Sequence, residues 1–144
     1  MRPRLYYDTH VVKNFEIWGA EPTSIYNARQ ATVAADSMAD RLFDYFTAHR
    51  PKGLRGAPTP GGYRRLLIDW EPDYQIVWDA ARNMLPLNVS RLPILAADRE
   101  HGDVLVASQP VVAAKLRTGQ QIVLRASVGK VIKLWERVLD DNRL

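Results

Sequence analysis

The stretch TSIYNARQATVAADSMADRLFDYFTAH, residues 23–49, decides the fold, because its apolar residues recur at steps of three and four. This spacing places them along one face of an α-helix. Thr23 or Ser24 can cap the first turn, and Pro51 stops the helix soon after His49. Small residues at the centre of the face allow a second helix to approach closely, so we predict an antiparallel partner helix.

The partner helix is expected on the far side of residues 52–62, a stretch rich in glycine and proline that is typical of a loop. Residues 63–70 are predicted to form a short helix with Leu66, Leu67 and Ile68 inside, and Pro72 suits the first turn of a further helix. The apolar periodicity then continues until Pro86 ends it. We therefore predict that residues 63–86 supply the second half of the helical pair.

From Leu92 onward the pattern is typical of strands. We predict one pair of strands at 92–96 and 104–107, joined by the polar turn 98–103, and a second pair at 111–117 and 121–126. In the second pair the even-numbered residues are apolar, so the register should pair even with even.

That register has consequences for the second turn and for the end of the chain. It predicts that Leu116 faces Ile122 and that Gly119 takes a left-handed conformation in the connecting loop. A basic strip would occupy the opposite face: Lys115, Arg117 and Arg125. Ser127 is predicted to cap a final helix whose apolar face covers the hairpin.

These elements predict an α+β fold: an antiparallel helical pair, a small antiparallel sheet of hairpins and a C-terminal helix. With 144 residues, the chain is expected to form a single domain, residues 1–144, with a helical part at 23–90 and the hairpins and last helix at 91–144. Residues 5–18 are expected to form an extended lead-in or a short helix.

Composition excludes several classes of site. The chain has no cysteine, which rules out disulfides, zinc-thiolate sites and thiol nucleophiles. The three histidines, at positions 10, 49 and 101, fit no metal spacing, and the acidic turn 98–103 lacks the ligand ladder of a calcium loop. We predict no cofactor and no metal site. There is no apolar run long enough for a membrane span, so we expect a soluble, cytoplasmic protein.

The formal net charge is +4, and the basic residues are locally concentrated. No acidic residue occurs between Asp44 and Asp69, while that interval holds a group of cations: Arg50, Lys52, Arg55, Arg64 and Arg65. Such a group can bind a polyanion. The alternative is a solvated loop whose arginines keep the protein soluble.

Arg82 is followed at once by Asn83, and six positions after the arginine comes Asn88. This spacing, at the end of an amphipathic helical run, resembles the signature of HEPN domains, the small helical domains of RNA-cleaving toxins and defence systems. The resemblance implies a composite RNA-cleaving site at a dimer interface, with Arg82 as its arginine. Asn88 stands where the family has histidine, and an amide does not shuttle protons near neutral pH. The alternative is that Arg82 satisfies carbonyls at the end of a helix.

The order of elements also resembles an uncharacterised group of small bacterial proteins, a likeness that implies architecture and no activity. Two hypotheses follow. The first is a catalytically inactive, HEPN-like accessory protein that binds RNA or a protein partner. The second is a protein-interaction module without a nucleic-acid role. A homodimer is expected in either case, because the apolar face of residues 23–49 is wide and one short partner helix would leave part of it uncovered. An enzyme with an unrecognised site ranks third.

Overall fold

The computed structural model describes residues 2–98 and 102–144, and for residues 94–98 and 102–108 it describes the backbone alone. The elements in chain order are α1 (Pro3–Tyr6), a π-helical turn (Tyr7–Val12), α2 (Lys13–Ala20), α3 (Ile25–His49), a 3-10 turn (Pro51–Leu54), α4 (Pro60–Trp70), α5 (Tyr74–Ala81), β1 (Leu87–Asp98), β2 (Gly102–Lys115), β3 (Gln121–Val123) and α6 (Leu124–Asp141). The predicted α+β fold class is confirmed.

Helix α3 runs through the centre of the molecule, as its periodicity predicts. Ser24 caps it, because its Oγ accepts a hydrogen bond from the Asn27 N–H at 3.1 Å. The small and apolar residues of its face are buried: Ala28, Ala31, Ala35, Met38, Ala39, Leu42 and Phe46. Contacts from α1, α2, α5 and α6 cover this face within the chain. The surface that motivated a homodimer is therefore already used inside one molecule.

The N-terminal segment is helical over Pro3–Ala20, with the π turn between α1 and α2. The short-helix alternative was thus closer than the extended one, although the helical segment is longer than residues 5–18. Its buried side chains, Val11 and Trp18 among them, join the core around α3. Apolar and aromatic residues spread around this segment gave no clear helical period, which is why the sequence left both alternatives open.

The segment after α3 is more ordered than the predicted loop. A 3-10 turn follows Arg50, and α4 begins at Pro60, three residues before the predicted start. The cap explains the difference, because Thr59 Oγ1 accepts a hydrogen bond from the Gly62 N–H at 3.0 Å. Proline suits the first position of the helix, where its missing N–H has no partner to lose.

The sheet consists of three antiparallel strands in the order β1-β2-β3. The predicted strands 104–107 and 111–117 are parts of one strand, β2, which pairs with β1 from Leu87↔Ala114 to Asp98↔Gly102. The predicted turn 98–103 falls partly on residues 99–101, which lie outside the described residues. Within the pairing, Pro93 lies opposite Ser108 and Pro110 opposite Arg91.

The register of the second hairpin pairs even with even, but it is shifted from the prediction. Ile122 pairs with Ala114, and Leu116 lies in the loop, where its N–H donates to the Gln120 carbonyl at 2.8 Å. Gly119 adopts the predicted left-handed backbone, with φ of 89°. The apolar even-numbered residues of the hairpin remain on the core side, because Ala114 is buried and Ile122 packs against the core.

Helix α6 begins at Leu124, so the strand predicted at 121–126 ends at Val123. The prediction that Ser127 caps this helix is wrong, because Ser127 lies inside the first turns and its Oγ donates to Asp73 Oδ2 at 2.9 Å. Its apolar face is buried as expected: Val128, Val131, Ile132, Trp135, Val138 and Leu139. Trp135 joins it to α3 by donating from Nε1 to the Ala35 carbonyl at 2.8 Å.

Because α6 begins at Leu124, the three residues of the predicted basic strip do not lie along one strand face. Arg125 lies on the helix, where its guanidinium stacks on the Phe15 ring at 3.7 Å and donates to the Phe15 carbonyl at 3.0 Å. It therefore packs against α2 and does not share a strand face with Lys115. Among the described residues, no helix is both long and apolar enough to cross a lipid bilayer.

Candidate nucleic-acid interface

A groove lies where the turn after α3, the end of α4 and the last turns of α6 meet. We call it the first groove, and its volume is about 980 Å³. It is lined by Phe46, Arg50, Pro51, Lys52, Gly53, Arg55, Tyr63, Trp70, Leu134, Arg137, Val138, Asp141 and Asn142. Since these residues come from three separate parts of the sequence, the packing of the helices creates the groove.

The turn that carries the first basic residues is fixed by its backbone. The Arg50 N–H donates to the Phe46 carbonyl at 2.9 Å, and the Gly53 N–H donates to the Arg50 carbonyl at 2.9 Å. Leu54 is buried and anchors the turn to the core. A Cβ on Gly53 would lie 2.6 Å from Phe46 Cδ1, so only glycine allows this close approach. The local sequence thus holds the basic side chains in one place.

Four exposed cations line the first groove: Arg50, Lys52, Arg55 and Arg137. Asp141 is the only carboxylate among the described lining residues, so four positive charges and one negative charge give these residues a formal charge of +3. Within the described part of the chain, none of the four cations is in a salt bridge. Their positive charges are thus not neutralised by a carboxylate and can attract an anionic ligand, although Arg50 also donates a hydrogen bond to the Asn142 carbonyl.

An exposed indole lies beside these cations. Trp70, at the end of α4, is 39% exposed, and the Arg55 guanidinium lies over its ring at 5.3 Å from the centroid. An aromatic face next to a guanidinium is the arrangement on which unpaired bases stack in proteins that bind single-stranded nucleic acid.

The floor of the groove is aromatic and uncharged. Phe46 and Tyr63 meet edge to face, with ring centroids 6.4 Å apart, and both are buried. Burial raises the pKa of the Tyr63 hydroxyl well above its usual value, because the phenolate would be poorly solvated there. The phenol is neutral at physiological pH, as an ordinary tyrosine also is, and does not repel an anion.

The structure brings Arg50, Lys52 and Arg55 of the predicted basic group together, and it removes Arg64 from it. Arg64 is 7% exposed, and its guanidinium is bound to two carboxylates of α3. Its Nε donates to Asp36 Oδ1 at 2.9 Å and its Nη1 to Asp40 Oδ1 at 2.8 Å. An arginine engaged in this way does not contact a polyanion.

Arg65, the fifth predicted cation, is exposed on α4, but its side chain is not part of the lining of the first groove. Arg137 takes part instead. The amphipathic pattern of α6 indicates that Arg137 faces away from the apolar side of its helix, but no local signal places it near Arg50. Only the packing of α6 beside α3 does so.

Arg82 and Asn83 form the end of α5. Asn83 has a left-handed backbone, with φ of 58°, and its N–H donates to the Ala80 carbonyl at 3.1 Å. The Met84 N–H donates to the Asp79 carbonyl at 2.9 Å. These two bonds are those of a Schellman C-cap, in which asparagine is one of the few residues that tolerate the left-handed position. The Asn83 side chain also accepts a hydrogen bond from Arg29.

The side chain of Arg82 does not bind helix carbonyls, contrary to one interpretation of the sequence. Its Nη2 donates to Asp79 Oδ1 at 2.6 Å, and its guanidinium lies 4.3 Å from the Trp78 ring centroid. Asn88 lies in β1, where it pairs with Ala113 and accepts a hydrogen bond from Ser90 Oγ at 3.0 Å. The two ends of the motif therefore lie on different elements, and neither lines the first groove.

Among the described residues, no group of three or more histidine, aspartate or glutamate side chains could hold a metal ion. His10 stacks on Tyr6 and His49 lies against Tyr45, each with ring centroids 4.7 Å apart. His101 and Glu100 lie outside the described residues.

Comparison with known proteins returned no match to this chain among protein-family models, curated proteins or solved structures.

Proposed function

We propose that this protein binds single-stranded RNA in the first groove and does not cleave it. One observation carries the proposal: cations without salt bridges, Arg50, Lys52, Arg55 and Arg137, surround a groove that also holds the exposed ring of Trp70. Cations supply the attraction to phosphates, and the indole supplies a face for a base. Positive charge alone would attract any polyanion, whereas the aromatic ring favours a polyanion with unstacked bases.

The absence of cleavage follows from Asn88. Proton transfer by a positioned side chain is worth about 10²–10⁴ in rate, and an amide does not supply it. Arg82 is in addition engaged with Asp79 at 2.6 Å. A relation to HEPN proteins, as an inactive accessory member, is part of this proposal and rests on the sequence resemblance. Cleavage of RNA by the wild type that is lost in Arg82→Ala would overturn the non-cleaving assignment.

Two double variants with equal charge changes test the binding surface. Lys52→Gln with Arg137→Gln removes two charges from the first groove. Arg65→Gln with Lys133→Gln removes two charges from exposed positions on α4 and α6 outside its lining. The total charge of the two proteins is the same, so any difference reports the location of the charge.

We expect only the groove variant to weaken binding of a fluorescent single-stranded RNA in an anisotropy titration. Each phosphate contact on a single strand contributes about −0.7 to the slope of log K against log salt, so the slope should become shallower by about 1.4. Trp70→Ala should cost about 1–3 kcal/mol through lost stacking. Equal affinities for the groove variant and its control would exclude this groove as the binding surface.

If neither groove charge nor Trp70 affects RNA binding, the protein-interaction module is the better account. Its surface would then be sought on the outer side of α3, where Tyr26 is 70% exposed and Val33 is 46% exposed. These two residues are seven positions apart and so lie on the same side of the helix.

A further inference from the structure

A second groove adjoins the first at Arg50. Its volume is about 970 Å³, and it is lined by Arg2, Pro3, Arg4, Leu5, Asp8, Tyr45, His49, Arg50, Arg143 and Leu144. Among the residues that the structure describes, Arg50 alone lines both grooves. We propose that the two grooves form one continuous track for a single RNA strand; this inference rests on the proposed function of the first groove.

The junction between the grooves is held in place. The Arg50 guanidinium donates a hydrogen bond to the Asn142 carbonyl, which ties the end of α3 to the end of α6. Asn142 lines the first groove, and its chain neighbour Arg143 lines the second. Likewise His49 lines the second groove immediately before Arg50. A strand that passes Arg50 therefore leaves one set of cations and meets the next.

The second groove, like the first, holds both cations and aromatic rings, with Asp8 as a carboxylate in its described lining. Arg2 and Arg143 are exposed, and neither is in a salt bridge within the described residues. Arg4 is engaged with Asp140 at 2.8 Å and contributes less charge to a ligand. Tyr45 and His49, with ring centroids 4.7 Å apart, supply an aromatic surface. Each groove thus combines free cations with aromatic rings.

The backbone fixes Arg143 at the edge of this groove. Its N–H donates to the Asp140 carbonyl at 3.0 Å, and the Leu144 N–H donates to the Leu139 carbonyl at 2.8 Å, while φ of Arg143 is 54°. This is a second Schellman cap, at the end of α6. Glycine is the most common residue at such a left-handed position, and asparagine also occurs there. The cap therefore does not require arginine, and the cation of Arg143 remains available for another role.

A cation after the last turn of a helix also interacts favourably with the helix dipole, by about 0.3–1 kcal/mol. That effect acts on stability whether or not RNA is present. The proposal instead predicts an effect on RNA that depends on the length of the RNA. A short RNA in the first groove, which holds the exposed Trp70 ring, does not reach the second set of cations, whereas a strand long enough to cross Arg50 meets both sets.

The test compares a short and a long single-stranded RNA, about 4 and about 16 nucleotides, which bracket common site sizes on single-strand-binding domains. The variant is Arg2→Gln with Arg143→Asn, because asparagine keeps the left-handed cap. The control is again Arg65→Gln with Lys133→Gln, which has the same total charge. Thermal unfolding of both variants accounts for any loss of stability.

We expect the second-groove variant to bind the short RNA as the wild type does and the long RNA with a salt slope shallower by about 1.4. The wild type should bind the long RNA more tightly than the short one. Long-RNA binding that is unchanged in the second-groove variant, while the first-groove variant is weakened, would overturn the continuous track and leave the proposed function intact. Failure of the wild type to bind either RNA would overturn both.

Discussion

Replacing Arg64 with methionine is expected to cost about 3 kcal/mol of folding free energy. The guanidinium of Arg64, 7% exposed, lies between two carboxylates, with Nε 2.9 Å from Asp36 Oδ1 and Nη1 2.8 Å from Asp40 Oδ1. Burial alone would lower the pKa of Arg64, but hydrogen bonds to Asp40 and Asp36 raise it above its usual value, so the group remains charged. Methionine fills much of the volume and removes the charge.

The size of this cost depends on the two carboxylates, which keep their negative charges after the guanidinium is removed. Removing one member of a buried ion pair costs about 3–5 kcal/mol, because the remaining charge is buried without compensation. We assign the cost mainly to Asp36, whose side chain is 13% exposed, since that of Asp40 is 51% exposed and water screens it. The Tyr74 hydroxyl still donates to Asp36 Oδ1 at 2.8 Å. That bond places the expected cost near the low end of the range.

Urea unfolding followed by far-UV circular dichroism measures this cost. Arg65→Met is the matched control, because its side chain is exposed on the same helix and its loss should change stability by no more than about 0.5 kcal/mol. Arg64→Lys should be intermediate, since a single ammonium does not bridge two carboxylates as a guanidinium does. An Arg64→Met protein within about 1 kcal/mol of the wild type would refute the reasoning.

Two further predictions concern stability. Burial raises the pKa of Tyr63 and Tyr74 above the ordinary value of 10.0. The contribution of these two phenols to the unfolding free energy is therefore fully retained below about pH 10. It is lost as pH rises further, because the unfolded chain releases phenol protons that the folded chain keeps. Each buried phenol should lower the unfolding free energy by about 1.4 kcal/mol per pH unit there, so urea unfolding of Tyr63→Phe should show a shallower alkaline decline than the wild type. Asn83→Ala should destabilise the protein by about 1–2 kcal/mol, because a left-handed backbone brings Cβ close to the next carbonyl oxygen and alanine lacks the polar side chain by which asparagine offsets that cost. Asn83→Gly has no Cβ and should cost less, although it too loses the hydrogen bond from Arg29; equal losses in urea unfolding would contradict the C-cap assignment.

The sequence predicts the helices better than the strands. Helical periodicity in residues 23–49 and in the final apolar helix depends on many residues, so the structure departs from it only at the ends. The sequence does not locate the boundary near Val123, because Ile122 and Leu124 satisfy both a strand pattern and a helix pattern. Long-range packing decides between them, with Ser127 bound to Asp73, 54 residues earlier.

Strand β2 runs through Pro110, which lies between the two strands predicted at 104–107 and 111–117. A proline normally argues against a central strand, because it lacks the N–H that pairs with a neighbour. Successive residues of β2 direct their backbone N–H and C=O groups alternately toward the side of β1 and away from it. Lys115 points toward the side of β1, because its N–H donates to the Pro86 carbonyl. It follows that residue 110, opposite Arg91, directs its nitrogen away from β1. No pairing with β1 is lost there, so the strand continues.

The candidate site was predictable only in part. A run of residues without acidic side chains predicts that Arg50, Lys52 and Arg55 lie close together, and they line one groove because they are neighbours along the chain. The fate of Arg64 depends on Asp36 and Asp40, which are 28 and 24 residues away in sequence. Charge patterning along the chain does not report such pairings. The asparagine of the Arg-Asn motif has a local structural explanation, because Asn83 takes the left-handed position in the C-cap of α5.

The two prolines of the first hairpin have a consequence for how copies of this protein behave when crowded. Pro93, like Pro110, lies at a position whose nitrogen points to the outer edge of the hairpin, by the same alternation. Over the described residues no other strand pairs with β1 on that side, and β3 covers only the base of β2. An open edge invites strands from other molecules, and a missing donor interrupts the ladder such a strand would need. The hairpin is thereby a poor template for fibre growth, despite its apolar sequence.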